Sequence, residues 1–440
     1  MSASTALVVF VIAIAAAVIL GQKLKCNIGV IGICFAFLLG TMTMGKTIAK
    51  VISYFPTSLL FTMMIVTFFY GFASQNGAVK AISSRLIYAF RNHVKLLPVV
   101  LYFSVFFVAT LGAGAAAAPV IMSPIAFQLA AEVGFSPVLA VISLSVGALA
   151  GGIQPWTSSG VLFSGIVLNT FDEATTASIS WAYGITLMVI PTVFYLAVWL
   201  FYARRQKNTS AREIKKPEPL NDIQKKTLIL IGVMMVLIIV PVFANMFLPN
   251  PVTKWFASKF DIKVLCALGI VVSCALGLGN PNEVIRNNIP WPTIIMVCGM
   301  SMMINLAVET GIADLMGSWL GSNLPTMLVI PVIVLLAGLL SFITTGPAVI
   351  FPLFIPMFPA LSTTTGISVI ALTAALFAGT GATGMSPFSQ GGAMAITGCK
   401  DEKTRESLWS KQLLFAGIFL LFYIVFGFCG FFNAVASIFV

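Results

Sequence analysis

The feature that most constrains this chain is a stretch of 49 residues, Gly112 to Gly160, that returns in the same register at Thr344 to Gly392. With a constant offset of 232 residues and no gap, Gly114, Ala116, Pro124, Leu129, Gly134, Ser136, Gly147, Gly152, Pro155 and Gly160 coincide with Gly346, Ala348, Pro356, Leu361, Gly366, Ser368, Gly379, Gly384, Pro387 and Gly392. Most of these are Gly or Pro, which change backbone geometry. The two copies therefore share a pattern of turns and breaks, not merely greasy composition.

Each copy has two parts. Gly112-Ala-Gly-Ala115 and Thr344-Thr-Gly-Pro347 lie in the middle of apolar runs of roughly 36 residues, and each half of such a run is shorter than the about 20 helical residues that cross a bilayer. This predicts re-entrant hairpins over 96–131 and 326–362, with polar backbone at their tips. Gln154-Pro-Trp-Thr-Ser-Ser-Gly160 and Ser386-Pro-Phe-Ser-Gln-Gly-Gly392 interrupt stretches otherwise long enough to cross. They predict broken helices over 137–169 and 367–398, with Pro155 and Pro387 at the breaks. Exposed backbone at membrane depth is tolerated only where protein or a water-filled cavity surrounds it, which points to a binding site.

Hydrophobic residues make up 59% of the chain and charged residues 8%, and apolar runs recur from end to end. That is the composition of an all-α polytopic membrane protein. The run Ser4 to Gln22 lacks a basic leader and a small-residue cleavage site, and reads as a retained helix. The seven cysteines, Cys26, Cys34, Cys266, Cys274, Cys298, Cys399 and Cys429, sit in or beside apolar runs without ligand spacing. They read as small core hydrophobes, with no disulfide framework.

Taken in order, spans are expected at 4–22, 27–45 and 58–74. After the turn Gln75-Asn-Gly77, an interfacial helix would place Val79, Ile82, Leu86 and Phe90 on one face with Lys80, Arg85 and Arg91 off it; a cytoplasmic loop is the alternative. The first hairpin, the first broken helix and a plain span at 179–202 complete the first repeat, 1–202. Residues 203–226, rich in Lys and Arg, form a cytoplasmic linker. The second repeat, 227–440, holds spans at 227–247, 264–279 and 289–307, a short interfacial piece with Asp314 and Trp319, the second hairpin, the second broken helix and a last span at 412–437. Each half thus has five transmembrane helices and one hairpin, about ten transmembrane helices and two hairpins in all. An odd number of crossings per half makes the repeat inverted. Placing Lys23, Lys25, the 80–95 segment, the linker and the Lys400–Lys411 loop inside leaves Asp172, Glu173, Glu309 and Asp314 outside. Both termini then face outward from a bacterial inner (plasma) membrane. These cytoplasmic segments largely account for the net charge of +11, so the charge calls for no nucleic-acid partner.

Neither hairpin tip and neither break contains Asp, Glu, Lys, Arg or His, and the single His93 lies at the cytoplasmic interface. Ser158 and Ser389 have no visible base, so the site reads as non-enzymatic and without a resident cofactor. Binding is favoured instead. Half-helix N-termini present unpaired N–H groups and positive partial charge to an anion, while unwound carbonyls suit a sodium ion. Candidate substrate-binding residues are Gly112, Ala113, Gly114, Gln154, Trp156, Thr157, Ser158, Thr344, Thr345, Gly346, Phe388, Ser389 and Gln390. Each hydroxyl also reads as a helix cap, and the two roles can coincide. Trp156 and Phe388, at mirrored positions, either close over the ligand or pack the two breaks together. Candidate sodium ligands are the backbones of Gly112, Gly114, Gly152, Thr344, Gly346 and Gly384.

The order of hairpin and broken helix, the duplication and the Pro at each break resemble the ion transporter superfamily, including the divalent anion:sodium symporters. The first 165 residues or so resemble the malonate/dicarboxylate carriers of the MatC type through Phe55-Pro56, the Gln75-Asn-Gly77 turn, the Ala-rich hairpin ending in Pro124-Ile-Ala126 and the break Gly151-Gly152…Pro155. In the symporters each hairpin tip carries Ser-Asn-Thr for substrate carboxylate and sodium. Here the tips read Gly112-Ala-Gly114 and Thr344-Thr-Gly346, so the second keeps hydroxyls and the first keeps none. The resemblance implies a homodimer whose hairpins and broken helices move against a scaffold of the other spans. The expectation is a sodium-coupled secondary transporter of C3–C4 dicarboxylates such as malonate, succinate or malate. The alternatives are a cation/proton antiporter of the same superfamily and the membrane subunit of an anion pump.

Overall fold

The computed structural model describes residues 3–203, 216–248, 250–341, 346–387, 389–399 and 401–439. Thr344, Thr345, Phe388 and residues 204–215 of the linker lie outside the described residues. All regular elements among these residues are helical, as expected of an apolar chain that must close its backbone hydrogen bonds within each segment.

Helix α1 (Ala3–Leu24) is followed by α2 (Ile28–Phe37), which Asn27 caps by accepting the Gly29 N–H at 2.9 Å and which continues as a π-helical turn, Leu38–Thr43. Short α3 (Ile48–Ser53) leads to α4 (Thr57–Gln75), and α5 (Ala78–Ala89) follows the left-handed Gly77. The first hairpin is α6 (Leu97–Val108), a π-helical turn Ala109–Ala113 and α7 (Gly114–Val133). The first broken helix is α8 (Pro137–Gly152) and α9 (Ser158–Val167), and α10 (Glu173–Ala203) returns.

The second half runs through α11 (Asp222–Phe247), short α12 (Pro251–Lys259), α13 (Ile262–Ala275), short α14 (Pro281–Asn287), α15 (Trp291–Val308) and α16 (Ile312–Asn323). Its hairpin comprises α17 (Thr326–Ser341), the turn Gly346–Ile350, α18 (Phe351–Phe354) and α19 (Phe358–Thr365). The second broken helix is α20 (Val369–Ala382) and α21 (Gln390–Ala395), followed by α22 (Glu402–Phe428) and α23 (Phe431–Ala436).

Among the described residues six helices are long and apolar enough to cross a membrane, within α1, α4, α10, α11, α15 and α22. Two further expected spans are shorter than read from sequence, at 28–43 and 262–275. At 1.5 Å per residue they reach roughly 24 and 21 Å, less than the about 30 Å hydrocarbon core. The chain then passes to α3 and α14. A second difference is at 402–411, expected as loop but forming the start of α22. Asp401 caps it by accepting the Thr404 N–H at 2.9 Å, and hydrogen bonds from Thr404 hold the Asp401 carboxyl below its usual range.

Local geometry recurs at the 232-residue offset. Ser136 accepts the Val138 N–H at 3.3 Å and Ser368 the Ile370 N–H at 3.2 Å, capping α8 and α20. Gly134 and Gly366, at φ +77° and +74°, close α7 and α19 by donating to Ala130 and Ser362 carbonyls at 2.8 Å each. A Cβ on Gly147 would lie 2.8 Å from the Tyr102 carbonyl oxygen, and one on Gly379 would lie 2.4 Å from that of Val334. These contacts seat the first arm of each hairpin against the first half of each broken helix.

The halves interlock. Helix α2 packs on α15 so closely that a Cβ at Gly29 would lie 2.1 Å from the Ile295 oxygen, and one at Gly299 would lie 2.1 Å from the Gly29 oxygen. The Asn27 amide donates to the Pro292 carbonyl across the same seam at 2.7 Å. Helix α13 meets α4 in turn, with Gly269 against the Phe69 ring. Inside, Phe163 and Tyr183 of the first half meet Phe351 and Phe377 of the second. Phe163 stacks on Phe377 at 5.2 Å, and Phe351 meets Phe377 edge-on at 4.2 Å. Replacing Gly299→Val should force α2 from α15 at a cost on the order of 3 kcal/mol, read as a lowered midpoint of thermal unfolding in detergent.

Candidate functional site

The first hairpin turns at Gly114, whose φ of +70° and ψ of 176° belong to a region that only Gly occupies readily. A Cβ there would lie 2.7 Å from the Ser158 Oγ, so the tip sits directly on the start of α9. Gly152, ending α8, abuts the same tip, since its Cβ would fall 2.3 Å from the Ala115 nitrogen. The Thr110 hydroxyl donates to the Gly151 carbonyl at 2.8 Å and fixes this junction.

At the break, one hydroxyl satisfies several orphaned backbone groups. Thr157 Oγ1 donates to the Gly152 and Gln154 carbonyls, at 2.6 and 2.8 Å, and accepts the Gly160 N–H at 3.1 Å. Ser389 repeats this 232 residues later with Gly384, Ser386 and Gly392 at 2.7, 2.7 and 3.1 Å. The Gly160 carbonyl accepts from Tyr183 at 2.8 Å, and that of Gly392 from the Gln412 amide at 2.8 Å.

A cavity of about 410 Å³ opens beside the first tip and break. Ala115 and Ala117 at the start of α7, Ser158 and Ser159 at the start of α9, and Thr293 near the start of α15 line it, so three helices present their N-terminal, positive ends. Pro347 reaches it from the second hairpin, and α4 supplies Thr67, Tyr70 and Ser74. Among the described residues that line it, none is charged. Its size suits a small ligand.

The residues singled out from sequence fall into several places. Gly114 and Ser158 meet at the cavity. Thr157 caps α9 behind it, fully buried. The Gln154 amide donates to the Ala150 and Gly184 carbonyls at 2.7 and 3.1 Å, tying the break to α10. Trp156 packs against Trp181 with ring centroids 5.7 Å apart, and its carbonyl accepts from Tyr70 at 2.9 Å. Gly112 and Ala113 lie in the π-helical turn before the tip. Gly346 is next to Pro347, with a Cβ there 2.9 Å from the Phe351 ring. Pro155 faces a second cavity of about 320 Å³ on another face of α9, and Pro387 lies buried in the second break. Gln390 begins α21. Of the candidate sodium ligands, the Gly152 and Gly384 carbonyls already accept hydroxyls, each leaving one lone pair. The sequence reading missed Ser159, Thr67, Ser74, Thr293 and the pair Asn287 and Asn288, all lining the cavity. Of these, only Ser159 lies in a break motif.

Three helix starts thus border one cavity within a bundle of apolar helices, and no described residue that lines it is charged. Residues 159–435 match the family model described as the sodium:sulfate symporter transmembrane region, and residues 4–152 match that of the N-terminus of the dicarboxylate carrier protein MatC. The first match spans over half of the chain, which therefore belongs to the sodium:sulfate symporter family, within the ion transporter superfamily. It is a multi-pass membrane transporter of anions and not an enzyme. Solved structures share the fold. The YdaH transporter of Alcanivorax borkumensis is 16% identical with a TM-score of 0.56, over 90% of this chain and 89% of that one. MtrF of Neisseria gonorrhoeae, from a class of antimetabolite efflux pumps, is 15% identical with a TM-score of 0.62, over 89% and 84%. No protein of curated function matches the chain in sequence.

Two substitutions probe this geometry. Gly114→Ala should abolish anion uptake in proteoliposomes while the protein still elutes as a single species, because the tip conformation is strained by about 1–3 kcal/mol for any other residue. Thr157→Ala should lower the thermal unfolding midpoint through loss of a cap worth about 1 kcal/mol, and Thr157→Ser should restore it.

Proposed function

We propose that the protein is a sodium-coupled symporter of small organic anions, C3–C4 dicarboxylates such as malonate, succinate or malate. The observation that carries this reading is the uncharged cavity at which α7, α9 and α15 begin. Helix N-termini and hydroxyls attract a carboxylate without a fixed cation, so the anion is held and still able to leave. The MatC-type match over residues 4–152 favours a dicarboxylate, and the symporter match favours sodium. Carbonyls at Gly112, Gly114 and Gly152, with the mirrored Thr344, Gly346 and Gly384, are the sodium ligands in this reading. Ser389, Gln390, Thr345 and Phe388 serve the second break and tip.

The two halves, 1–202 and 227–440, are inverted about the 203–226 linker, with both termini outside the bacterial plasma membrane. Hairpins and broken helices move as one body in an elevator against the interlocked α2, α4, α13 and α15, in a homodimer. A cation/proton antiporter would require a carboxylate in the site, and no described lining residue carries one.

The test is uptake of radiolabelled malonate and succinate into proteoliposomes under an inward sodium gradient and, separately, an equal potassium gradient. Sodium-dependent uptake of both, each competing with the other, is expected. Uptake indifferent to sodium would sink the coupling, and uptake of neither acid would sink the substrate class.

A further inference from the structure

Besides Thr67 and Tyr70, the polar side chains lining the cavity fall into two groups. One is Ser158 and Ser159 at the start of α9, where one carboxylate of the proposed substrate is held. The other lies around the α14–α15 turn and the end of α4, where Asn287 and Asn288 close α14, Thr293 stands near the start of α15 and Ser74 near the end of α4. Hydroxyls elsewhere in the helices turn back onto their own backbone, as Thr62 does onto Ser58, Ser104 onto Val100 and Thr373 onto Val369, all at 2.7 Å. The side chains of Ser74, Asn287, Asn288 and Thr293 make no hydrogen bond among the described residues, although each borders the same space.

The wall that carries the two carboxamides is built to hold them. The Gln75 amide donates to Glu283 at 2.9 Å, and its carbonyl oxygen accepts the Asn280 N–H at 3.0 Å, fixing α14 to the end of α4. The Trp291 indole donates to the Ile285 carbonyl at 3.0 Å across the turn. Gly71 lets this corner approach, since a Cβ there would lie 2.4 Å from Val284 and 2.9 Å from the Asn288 Cβ. The Gln75-Asn-Gly77 turn thereby acquires a role, because its first residue positions a wall of the cavity. Asn288 is half-buried.

We propose that Asn288, with Asn287 beside it, binds the far carboxylate of the transported dicarboxylate and sets the preference for two-ended acids. This rests on the symporter reading above. A carboxamide NH₂ offers two donors without charge. One carboxylate is held by helix ends and the other by neutral amides, so a diacid is distinguished from a monoacid of equal length by hydrogen bonds that the monoacid leaves unmade.

The measurement is calorimetric binding of succinate and of butyrate, the same four-carbon chain lacking one carboxylate, to the purified full-length protein in sodium. Wild type should bind succinate at least about ten-fold more tightly than butyrate, the scale of one hydrogen bond to a charged group. Asn288→Asp, which presents an anion to the far carboxylate, should weaken succinate by ten-fold or more and leave butyrate within two-fold. Asn288→Ala should weaken succinate alone, by less. A purely structural role would shift both acids together, and that result, or an unchanged ratio in Asn288→Asp, overturns the assignment while leaving the symporter reading intact. Wild type that binds neither acid overturns the symporter reading for dicarboxylates and this assignment with it.

Discussion

Everything at the centre of this molecule depends on a single requirement, that a helix interrupted inside hydrocarbon leave no backbone group without a partner. An unmet N–H or C=O there costs several kcal/mol. Thr157 and Ser389 meet the requirement in the same way, each hydroxyl donating to two carbonyls ahead of it and accepting one N–H behind it. With the break sealed from inside, Ser158 and Ser159 are released from structural duty and face the cavity. The hairpin tip can then sit against them, as the Gly114 contact shows.

The absence of fixed charge among the described lining residues has a physical logic. A full cation buried beside a carboxylate would bind it firmly, and a tightly bound anion is a slow passenger. A helix terminus carries about half an elementary charge and dissipates it over one turn. Three such termini attract an anion while leaving it exchangeable. The aromatic cluster of Phe163, Tyr183, Phe351 and Phe377 lies against the same elements and joins the two halves. Phe163 belongs to both the cluster and the cavity wall.

The turns and breaks were legible because Gly and Pro dictate them locally. Gly134 and Gly366 stop their helices, and Gly114 bends the tip, for reasons contained in single residues. The α14–α15 side of the cavity was not legible. Asn287, Asn288 and Thr293 sit in a stretch with no break motif, and α14 packs onto Gly71 beside the cavity through contacts between residues more than 200 apart in sequence. Gln154 shows the converse. A carboxamide in an apolar run beside a break looks like a ligand contact from sequence, yet its partners are the Ala150 and Gly184 carbonyls, the latter 30 residues away. Short helices such as α3 and α12 escaped notice because neither is long enough to show a period.

The likeness of the two halves fails at Ser123. Its hydroxyl donates to the Ala395 carbonyl and accepts the Gly398 N–H, both at 2.8 Å, stitching the returning arm of the first hairpin to the end of the second broken helix. At the equivalent place in the second half stands Ile355, which can make no such stitch. The duplicated segments are consequently no longer interchangeable parts. Two first halves joined head to tail would put Ile166 where Gly398 donates its N–H to Ser123, and a Cβ at that place would lie 2.5 Å from the Pro124 nitrogen, so neither half can stand in for the other.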